Sequence, residues 1–336
     1  MTDLLRTTVV GSYPVPDWLK SLPNESALRD AIRLVLDTQE RAGIDVVGDR
    51  ELGRWDLARN APAGMVERFV RPMEGVRIGL TRRQREAFLA DPNTAYRASA
   101  PGVVVAELSA GNLDLLREFQ HARQLTERPL KFTITSPYML AKVVADDYYR
   151  DLPRLTMAFA EVLAEQVRGI DAAVIQIDEP HLPGHASDGG LAATAIKHVL
   201  DAADDGVNTA VHLCFGNFGG QMIQQGDYRK LIDFLNRLQC DHLVLETTRR
   251  HESEIHALRD VEERTCLGLG VIDIKDLQVE SADKVAGRIE SLANIVGIQH
   301  IDYVHPDCGL QMLPKSVSDG KLQALVAGRD LFLGRS

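Results

Sequence analysis

Cysteine is scarce in this 336-residue sequence, which contains only four. Four cysteines in a chain of this length do not form the dense disulfide framework of a small secreted protein. Each is therefore expected to be a buried thiol or a metal or redox ligand. A run of about 18 apolar residues is also lacking, and the N-terminal segment MTDLLRTTVV has none of the features of a secretion signal. These absences predict a cytoplasmic protein without a membrane span.

Positive charge is in the minority, with 38 Lys and Arg residues against 48 Asp and Glu residues and a formal net charge of -10. No basic stripe and no arginine-rich helix is present, which argues against nucleic acid or an anionic membrane as the partner. Hydrophobic residues make up 45% of the chain, enough to build a folded core. We therefore expect a globular protein that binds a small molecule or another protein.

Short apolar segments rich in β-branched residues recur between stretches of helix length. This alternation is typical of α/β proteins, and eight repeats in this length favour a TIM (β/α)8 barrel over an open doubly wound sheet. The pattern alone does not dictate that the sheet closes. The predicted strands are residues 7 to 12, 44 to 49, 130 to 136, 172 to 178, 208 to 214, 242 to 246, 265 to 273 and 301 to 307.

Amphipathic stretches between these segments predict the intervening helices. Residues 227 to 239 and residues 281 to 297 are two of them, the second with Ser281 as a suitable N-cap. A third, residues 25 to 43, stops at a glycine suited to helix termination, and its core-facing side comprises Leu28, Ile32, Val35, Leu36 and Gln39.

One connection, from about residue 50 to 129, is much longer than the others. It contains RWDLARNAPAGM, RIGLTRRQREAFL and the β-branched run VVVAEL. The segment has too little apolar material for a core of its own. We therefore interpret residues 1 to 336 as a single TIM-barrel domain with a long elaborated connection between strands 2 and 3.

Polar residues stand at the ends of the predicted strands. In a TIM barrel the chemistry lies at the carboxyl ends of the strands, so these residues are the candidates for a functional site. They are Ser12, Asp49 to Glu51, Ser136, Asp178, Glu179, His212, Cys214, Glu246, Asp273, Asp307 and Cys308.

His212 and Cys214 lie two residues apart on one predicted strand, so their side chains project from the same face. Taken alone, the pair favours a buried histidine beside a core thiol over metal binding. Glu246 and Cys308 fall at the ends of later strands and complete a set of one nitrogen, two sulfurs and one oxygen. That set suits a zinc site whose oxygen ligand can be displaced during catalysis.

The remaining cysteines and a neighbouring histidine are assigned no metal role. Cys240 ends a predicted helix and Cys266 opens a strand at the end away from the site, so both are expected to be ordinary structural residues. His305 is interpreted as a residue that supports the site from behind or as a solvated turn residue.

Two acidic stretches and one serine are candidates for substrate binding. Asp178 and Glu179 are adjacent, so only one of them can face the barrel axis, and the alternative is that the pair caps a helix. The loop GDRELGRWD offers Glu51 among several charges, and by itself it is more typical of a solvated charged turn than of a binding site. Ser12 follows a glycine that lets the backbone approach a ligand closely, and its hydroxyl could hold a carboxylate.

The motifs TTVVGSYP, GDRELGRWD, FTITSPYML, IQIDEP, HLCFGNF, LVLETTRR, GLGVIDIK and HPDCGL, taken in this order, resemble the catalytic barrel of the cobalamin-independent methionine synthase family. The resemblance extends over nearly the whole chain. It implies a zinc-dependent methyltransferase that activates the thiol of homocysteine to form methionine. The zinc ligands that it implies are His212, Cys214, Glu246 and Cys308.

The resemblance also implies how an amino acid substrate is held. Ser12 and the backbone near Val10 would bind the substrate carboxylate, and Glu51 and Asp178 would bind its ammonium group. Acidic side chains provide the charge that an ammonium group requires.

The sequence departs from the family pattern in two places. Full-length plant and bacterial members carry an additional N-terminal barrel that helps to hold methylfolate, and this sequence corresponds to the catalytic barrel. Lys275 stands where those members have a histidine linked to proton delivery, and a lysine ammonium is a poor proton donor at neutral pH. Lys275 and Asp178 are the candidate catalytic residues, and the methyl donor is left open among methylfolate, methylcobalamin and a corrinoid protein.

Two other functions compete with this interpretation. A zinc-dependent alkyl transferase of the epoxide and coenzyme M type would need a cationic pocket for a sulfonate, which Glu51 and Asp178 oppose. A metal-free barrel of the wider superfamily, which binds a ligand or decarboxylates a porphyrin, would hold no stoichiometric metal.

Overall fold

Eight parallel strands form one continuous sheet in the computed structural model, which describes residues 5–49, 51–91, 94, 97, 99–216, 224 and 226–335. Neighbouring strands in the sheet are also consecutive along the chain. We number them β1 to β8: Arg6–Thr7, Val47–Gly48, Leu130–Thr135, Val174–Glu179, Asn208–Leu213, His242–Leu245, Cys266–Ile272 and Ile301–Pro306.

The sheet closes on itself through its two shortest strands. β1 pairs with β8, and a parallel bridge between Thr8 and Val46 joins β1 to β2. Because the first and second strands thereby become neighbours, the eight strands form a TIM barrel, and the predicted fold is confirmed.

Both closing strands are shorter than predicted. Residues 7 to 12 and 44 to 49 were expected to form strands, yet only Arg6–Thr7 and Val47–Gly48 do so. β1 stops before residue 12 because Gly11, with a φ of 55°, leaves the extended conformation. At the start of β2, the backbone N–H of Asp45 donates to the hydroxyl of Thr7 at 3.1 Å and its carboxylate accepts the backbone N–H of Thr7 at 2.7 Å, so side-chain hydrogen bonds take the place of backbone pairing there.

The helices follow the predicted pattern. The helix Glu25–Ala42 ends at Gly43, whose φ of 85° is left-handed, and Ser281 caps Ala282–Val296 by accepting the N–H of Lys284. None of the helices in the described residues is long and apolar enough to cross a membrane. The α-helices of the described residues are Asp17–Ser21, Glu25–Ala42, Gly64–Val70, Arg82–Ala90, Leu115–Arg123, Pro137–Val143, Leu152–Val167, Gly189–Leu200, Ile232–Leu238, Glu252–Ala257, Ala282–Val296 and Lys315–Phe332.

The helix predicted over residues 227 to 239 is divided in two. A 3-10 turn, Tyr228–Lys230, precedes the helix Ile232–Leu238. Asp227 is the reason for the early start, because its side chain accepts the N–H of Arg229 and fixes a separate turn.

The long connection between β2 and β3 has its own small elements. Strands Glu74–Arg77 and Val103–Ser109 pair with each other, and the second also pairs with Ala145–Asp146 beyond β3. Its buried apolar side chains, including Val66 and Phe69, pack in the same cluster as the barrel and its helices. The connection therefore lies against the barrel, where it contributes a wall of the cavity described below.

The interior of the barrel has an apolar layer below the site. Its side chains come from six different strands or their flanks and form a separate buried cluster, comprising Val10, Val46, Val174, Ala210, Val244 and Tyr303. Polar side chains lie above this layer, toward the carboxyl ends of the strands.

Candidate metal centre

Four potential metal ligands meet at the carboxyl end of the barrel. His212 lies on β5, Cys214 directly after it, Glu246 directly after β6 and Cys308 in the turn after β8. One ligand atom from each residue lies within 4.8 Å of the others. All four predicted ligands are therefore brought together in the structure.

The ring of His212 is oriented by the backbone of the neighbouring strand. Its Nδ1 lies 2.8 Å from the carbonyl oxygen of Val244, so Nδ1 must carry the proton and donate it. Nε2 is buried and has no hydrogen-bond partner. A buried nitrogen aimed at two sulfurs and a carboxylate has the orientation expected of a metal-binding imidazole, which binds a metal ion once Nε2 has lost its proton.

The two cysteine sulfurs are 3.6 Å apart. A disulfide bond would be about 2.05 Å, whereas the edge of a zinc tetrahedron with bonds of 2.3 Å is about 3.8 Å. The separation therefore fits two thiolates on one metal ion. The spacing of the two sulfurs and the buried Nε2 of His212, which has no hydrogen-bond partner, both fit a bound zinc ion.

Electrostatic interactions within the cluster favour one thiolate. A hydrogen bond from Cys214 lowers the pKa of Cys308 to about 5, with burial opposing the shift and His212 reinforcing it. The same hydrogen bond and burial raise the pKa of Cys214 well above its ordinary value. Burial lowers the pKa of His212, but Cys308 and Asp178 outweigh burial and raise it to about 9. The cluster thus stabilises positive charge at its centre.

Glu246 is held from three directions. The N–H of Phe215 donates to its Oε1 at 3.3 Å, the Tyr228 hydroxyl donates to its backbone carbonyl at 3.0 Å, and Nζ of Lys275 lies 3.8 Å from its Oε2. Neither Lys275 nor Glu246 is among the described residues that line the cavity. The lysine lies beside Glu246, where its charge acts on that carboxylate.

Asp307 joins the turns that carry Glu246 and Cys308. Its Oδ1 accepts the backbone N–H groups of Thr247 at 3.0 Å and Thr248 at 3.2 Å. Burial raises the pKa of Asp307 to about 7, and the charge of Glu246 contributes to the rise. Asp307 thus sets the spacing between two of the four candidate ligands.

A cavity of about 480 Å³ opens beside the cluster. Ser12, Glu51 and Asp178 line it together with the histidine and both cysteines of the cluster. The long connection after β2 supplies much of the opposite wall. Side chains of the cavity that were not predicted include Trp55, Met65, Met139 and His181.

The orientation of the acidic pair on β4 is resolved. Asp178 lines the cavity, and its Oδ1 accepts the amide of Gln176 at 2.7 Å. Burial raises the pKa of Asp178, although His212 and Arg54 oppose the rise. Glu179 faces away and accepts the N–H groups of the following turn at 2.7 and 2.9 Å. Asp178 thus faces the cavity, and Glu179 caps the turn that follows the strand.

Glu51 has a left-handed backbone, with φ of 62°, and forms a buried ion pair with Arg54 at 3.1 Å. Arg54 is anchored in turn by the backbone carbonyl of Thr133 at 2.9 Å. Glu51 is therefore part of a rigid buried pair and not of a solvated turn, which was the alternative left open by the sequence.

Other predicted positions have structural surroundings. The side chain of Val10 lies in the apolar layer inside the barrel, so only its backbone is available to a substrate. Cys240 is buried and donates to the carbonyl of His242, and Cys266 begins β7 at the opposite end of the barrel. His305 is fully buried and donates through Nδ1 to a backbone carbonyl. Three motif residues, Arg50, Asn217 and Phe218, lie outside the described residues.

Two strand-end residues serve local structure. Ser136 caps the helix Pro137–Val143 by accepting the N–H of Tyr138, and Asp273 pairs with Arg249 at 2.9 Å. The residues that sequence reasoning missed include Lys131 and Gln176, which lie beneath Asp178. A charged residue within the apolar strand LKFTITS was the available signal for the first of them.

The fold and the four-residue cluster together define a class: TIM-barrel proteins with a candidate metal centre of two sulfurs, one imidazole and one carboxylate at the carboxyl ends of the strands. Comparison with known families narrows this class. The chain belongs to the cobalamin-independent synthase family, because the profile of its catalytic domain matches residues 5–328. The family resemblance inferred from the motifs is thereby confirmed.

Individual relatives agree with the family. The methionine synthase of Thermococcus kodakarensis is 29% identical over 345 residues, which cover 98% of this chain and 93% of that protein. The methionine synthase of Saccharolobus solfataricus is 27% identical and covers 97% of this chain and 94% of its own length. The solved structure of the B12-independent methionine synthase from Shewanella sp. W3-18-1, in complex with selenomethionine, has a TM-score of 0.81 at 25% identity and covers 98% of both chains.

Proposed function

We propose that this enzyme is a zinc-dependent thiol methyltransferase that converts homocysteine to methionine. The observation that carries the proposal is the opening of a two-sulfur, one-imidazole cluster onto a cavity that also contains Asp178 and Glu51. Sulfur-rich ligation suits zinc and the activation of a thiol, and the acids suit a substrate that carries an ammonium group.

His212, Cys214, Glu246 and Cys308 would hold the metal. Bound zinc lowers the pKa of a thiol, so that a thiolate is available for alkylation at neutral pH. The hydrogen bond from His212 to Val244 keeps Nε2 directed at the cluster. Glu246 would supply the single oxygen ligand of the site.

The amino acid part of the substrate would be held on the opposite side of the cavity. Asp178 and Glu51 bind its ammonium group, and Ser12 with the backbone near Val10 binds its carboxylate. Support comes from the Shewanella relative, whose structure holds selenomethionine, an amino acid with the same backbone groups and a selenium in place of sulfur.

Lys275 acts through Glu246 in this proposal, because its Nζ lies 3.8 Å from that carboxylate. The barrel and its long connection work as a single catalytic domain, since they share one buried cluster. The cytoplasmic location expected from the sequence stays a prediction. The methyl donor is one of three classes: methylfolate, methylcobalamin or a corrinoid protein.

The coenzyme M type of alkyl transferase is disfavoured by the charges in the cavity. Two cations, Arg54 and Arg97, are among the described residues on its wall, but Arg54 is already paired with Glu51 at 3.1 Å and Arg97 with Glu67. Among the described residues, a sulfonate would therefore approach Asp178 with no cation other than these two paired ones.

The proposal is tested by a donor screen with the zinc-loaded protein. Homocysteine is incubated with each donor class, and methionine is measured by mass spectrometry against a reaction with coenzyme M in place of homocysteine. We expect methionine from at least one donor and no methylated coenzyme M. Methylation of coenzyme M alone, or less than about half an equivalent of zinc in chelator-free protein, would contradict the proposal.

A further inference from the structure

A lysine is buried inside the barrel beneath the cavity. Lys131 on β3 is 2% exposed, and its Nζ donates to the backbone carbonyl of Val9 at 3.1 Å and to Oε1 of Gln176 at 2.8 Å. A buried ammonium group is costly unless it is paired and hydrogen-bonded. Its neighbour in the adjacent strand is Val174, a member of the apolar layer, so the surroundings below it could accommodate an uncharged side chain.

Lys131 is the donor in both of its hydrogen bonds. An ammonium group donates and cannot accept, so Gln176 must present its oxygen to the lysine. The amide nitrogen of Gln176 must then point the other way, and it lies 2.7 Å from Oδ1 of Asp178. Without a fixed donor on one side, the two ends of a glutamine amide could exchange positions.

We infer that Lys131 is a positioning residue, which fixes the amide of Gln176 so that Asp178 directs its second oxygen toward the ammonium group of the substrate. The inference rests on the proposed function, in which Asp178 binds that group. Lys131, Gln176 and Asp178 are all at least 98% buried, so solvent does not substitute for any of these contacts. The hydrogen bonds that link Lys131, Gln176 and Asp178 thus lead from the interior of the barrel to the cavity wall.

The role is tested with two ligands that differ only in the ammonium group. L-homocysteine carries it, and 4-mercaptobutanoate has the same thiol and carboxylate without it. Dissociation constants of both are measured by calorimetry on the zinc-loaded wild type, on Lys131→Met, which keeps the length of the side chain without its charge, and on Asp178→Asn as the reference.

We expect Lys131→Met to weaken homocysteine binding about 10- to 100-fold and to leave 4-mercaptobutanoate unchanged. Gln176→Glu provides a second route if the first variant does not fold, because a glutamate still accepts from Lys131 but cannot donate to Asp178. It should show the same selective loss.

Three results would overturn the inference. If Asp178→Asn removes the preference for homocysteine and Lys131→Met and Gln176→Glu retain it, Lys131 has no positioning role while the proposed function stands. If the two variants weaken both ligands equally, the lysine is purely structural. If the wild type does not prefer homocysteine over 4-mercaptobutanoate, the substrate assignment and the inference are both wrong.

Discussion

Asp45 at the amino end of the barrel and His212 at the carboxyl end differ in how their polar atoms are satisfied. At the amino end, where β1 and β2 close the sheet, Asp45 accepts from the N–H and hydroxyl of Thr7 at 2.7 and 2.8 Å and from Arg329 at 2.6 Å. At the carboxyl end, His212 keeps a buried nitrogen without a hydrogen-bond partner beside two thiols. The first arrangement stabilises the fold, whereas the second is a site at which the fold tolerates unmet interactions.

The pKa values of two aspartates express the same contrast. Burial alone would raise the pKa of Asp45, but hydrogen bonds from Thr7 and Arg329 outweigh burial and lower it. Burial also raises the pKa of Asp178, and here the opposing interactions are too weak to reverse the rise. A carboxylate that is satisfied within the protein is structural, whereas one that is short of partners is available to a ligand.

The largest expected effect is at the carboxyl end. Cys308→Ser should lose zinc and reduce methyl transfer by at least about 100-fold, because a candidate metal ligand is removed. Cys240→Ser is the matched control, since that thiol is buried away from the cluster and donates only weakly to a carbonyl. Zinc content by elemental analysis and the rate of methionine formation are measured for both. Equal damage in the two variants would mean that the ligands are wrongly chosen.

The next effect is at the amino end and concerns stability. Asp45→Asn should lower the free energy of unfolding by about 1 to 2 kcal/mol, a modest figure because Asp45 is partly exposed to solvent. Methyl transfer per folded molecule should be unchanged, since Asp45 lies at the opposite end of the barrel. Chemical denaturation and steady-state rates check the two halves of this expectation. A loss of activity without a loss of stability would break the division between the two ends.

The same variant should show a pH dependence of known sign. The pKa of Asp45 is lower in the folded protein than its ordinary 3.8. Its stabilising contribution is therefore complete above the unfolded pKa and is lost as the pH falls below about 4 and through the folded value. The difference in unfolding free energy between wild type and Asp45→Asn should narrow there. A gap that widens on acidification would contradict the role given to this carboxylate.

The smallest expected effect concerns Lys275. Lys275→Met removes a cation that lies 3.8 Å from the carboxylate of Glu246. In the wild type this cation competes with a metal ion for that carboxylate. Zinc affinity, measured by competition with a chromogenic chelator, should rise a few-fold, while the free energy of unfolding changes by less than about 0.5 kcal/mol. A fall in zinc affinity would show that the lysine supports the site in another way.

Local pattern was sufficient to predict the strands of the barrel but not its closure. The β-branched segments and amphipathic helices predicted all eight strands, and the turn residues Gly43 and Ser281 marked helix ends correctly. The barrel closes through the pairing of β1 with β8 and the bridge between Thr8 and Val46, which join segments distant in sequence. Such contacts leave no periodic signal, which is why closure and the lengths of β1 and β2 did not follow from the pattern.

The candidate site was predictable only in part. Strand ends in a TIM barrel converge, so the positions of His212, Glu246 and Cys308 were sufficient to place them near one another. The choice between Asp178 and Glu179 depended on the register of the strand, which the sequence does not reveal. The cavity wall contributed by Trp55 and the other residues of the long connection depends on packing between distant segments.

X-ray absorption at the zinc edge tests the central claim most directly. The zinc-loaded protein is measured alone, with homocysteine and with coenzyme M. The cluster should show the sulfurs of Cys214 and Cys308 as neighbours of the metal, and homocysteine alone should add one further sulfur at about 2.3 Å. A spectrum that gains no sulfur on addition of homocysteine would contradict the account.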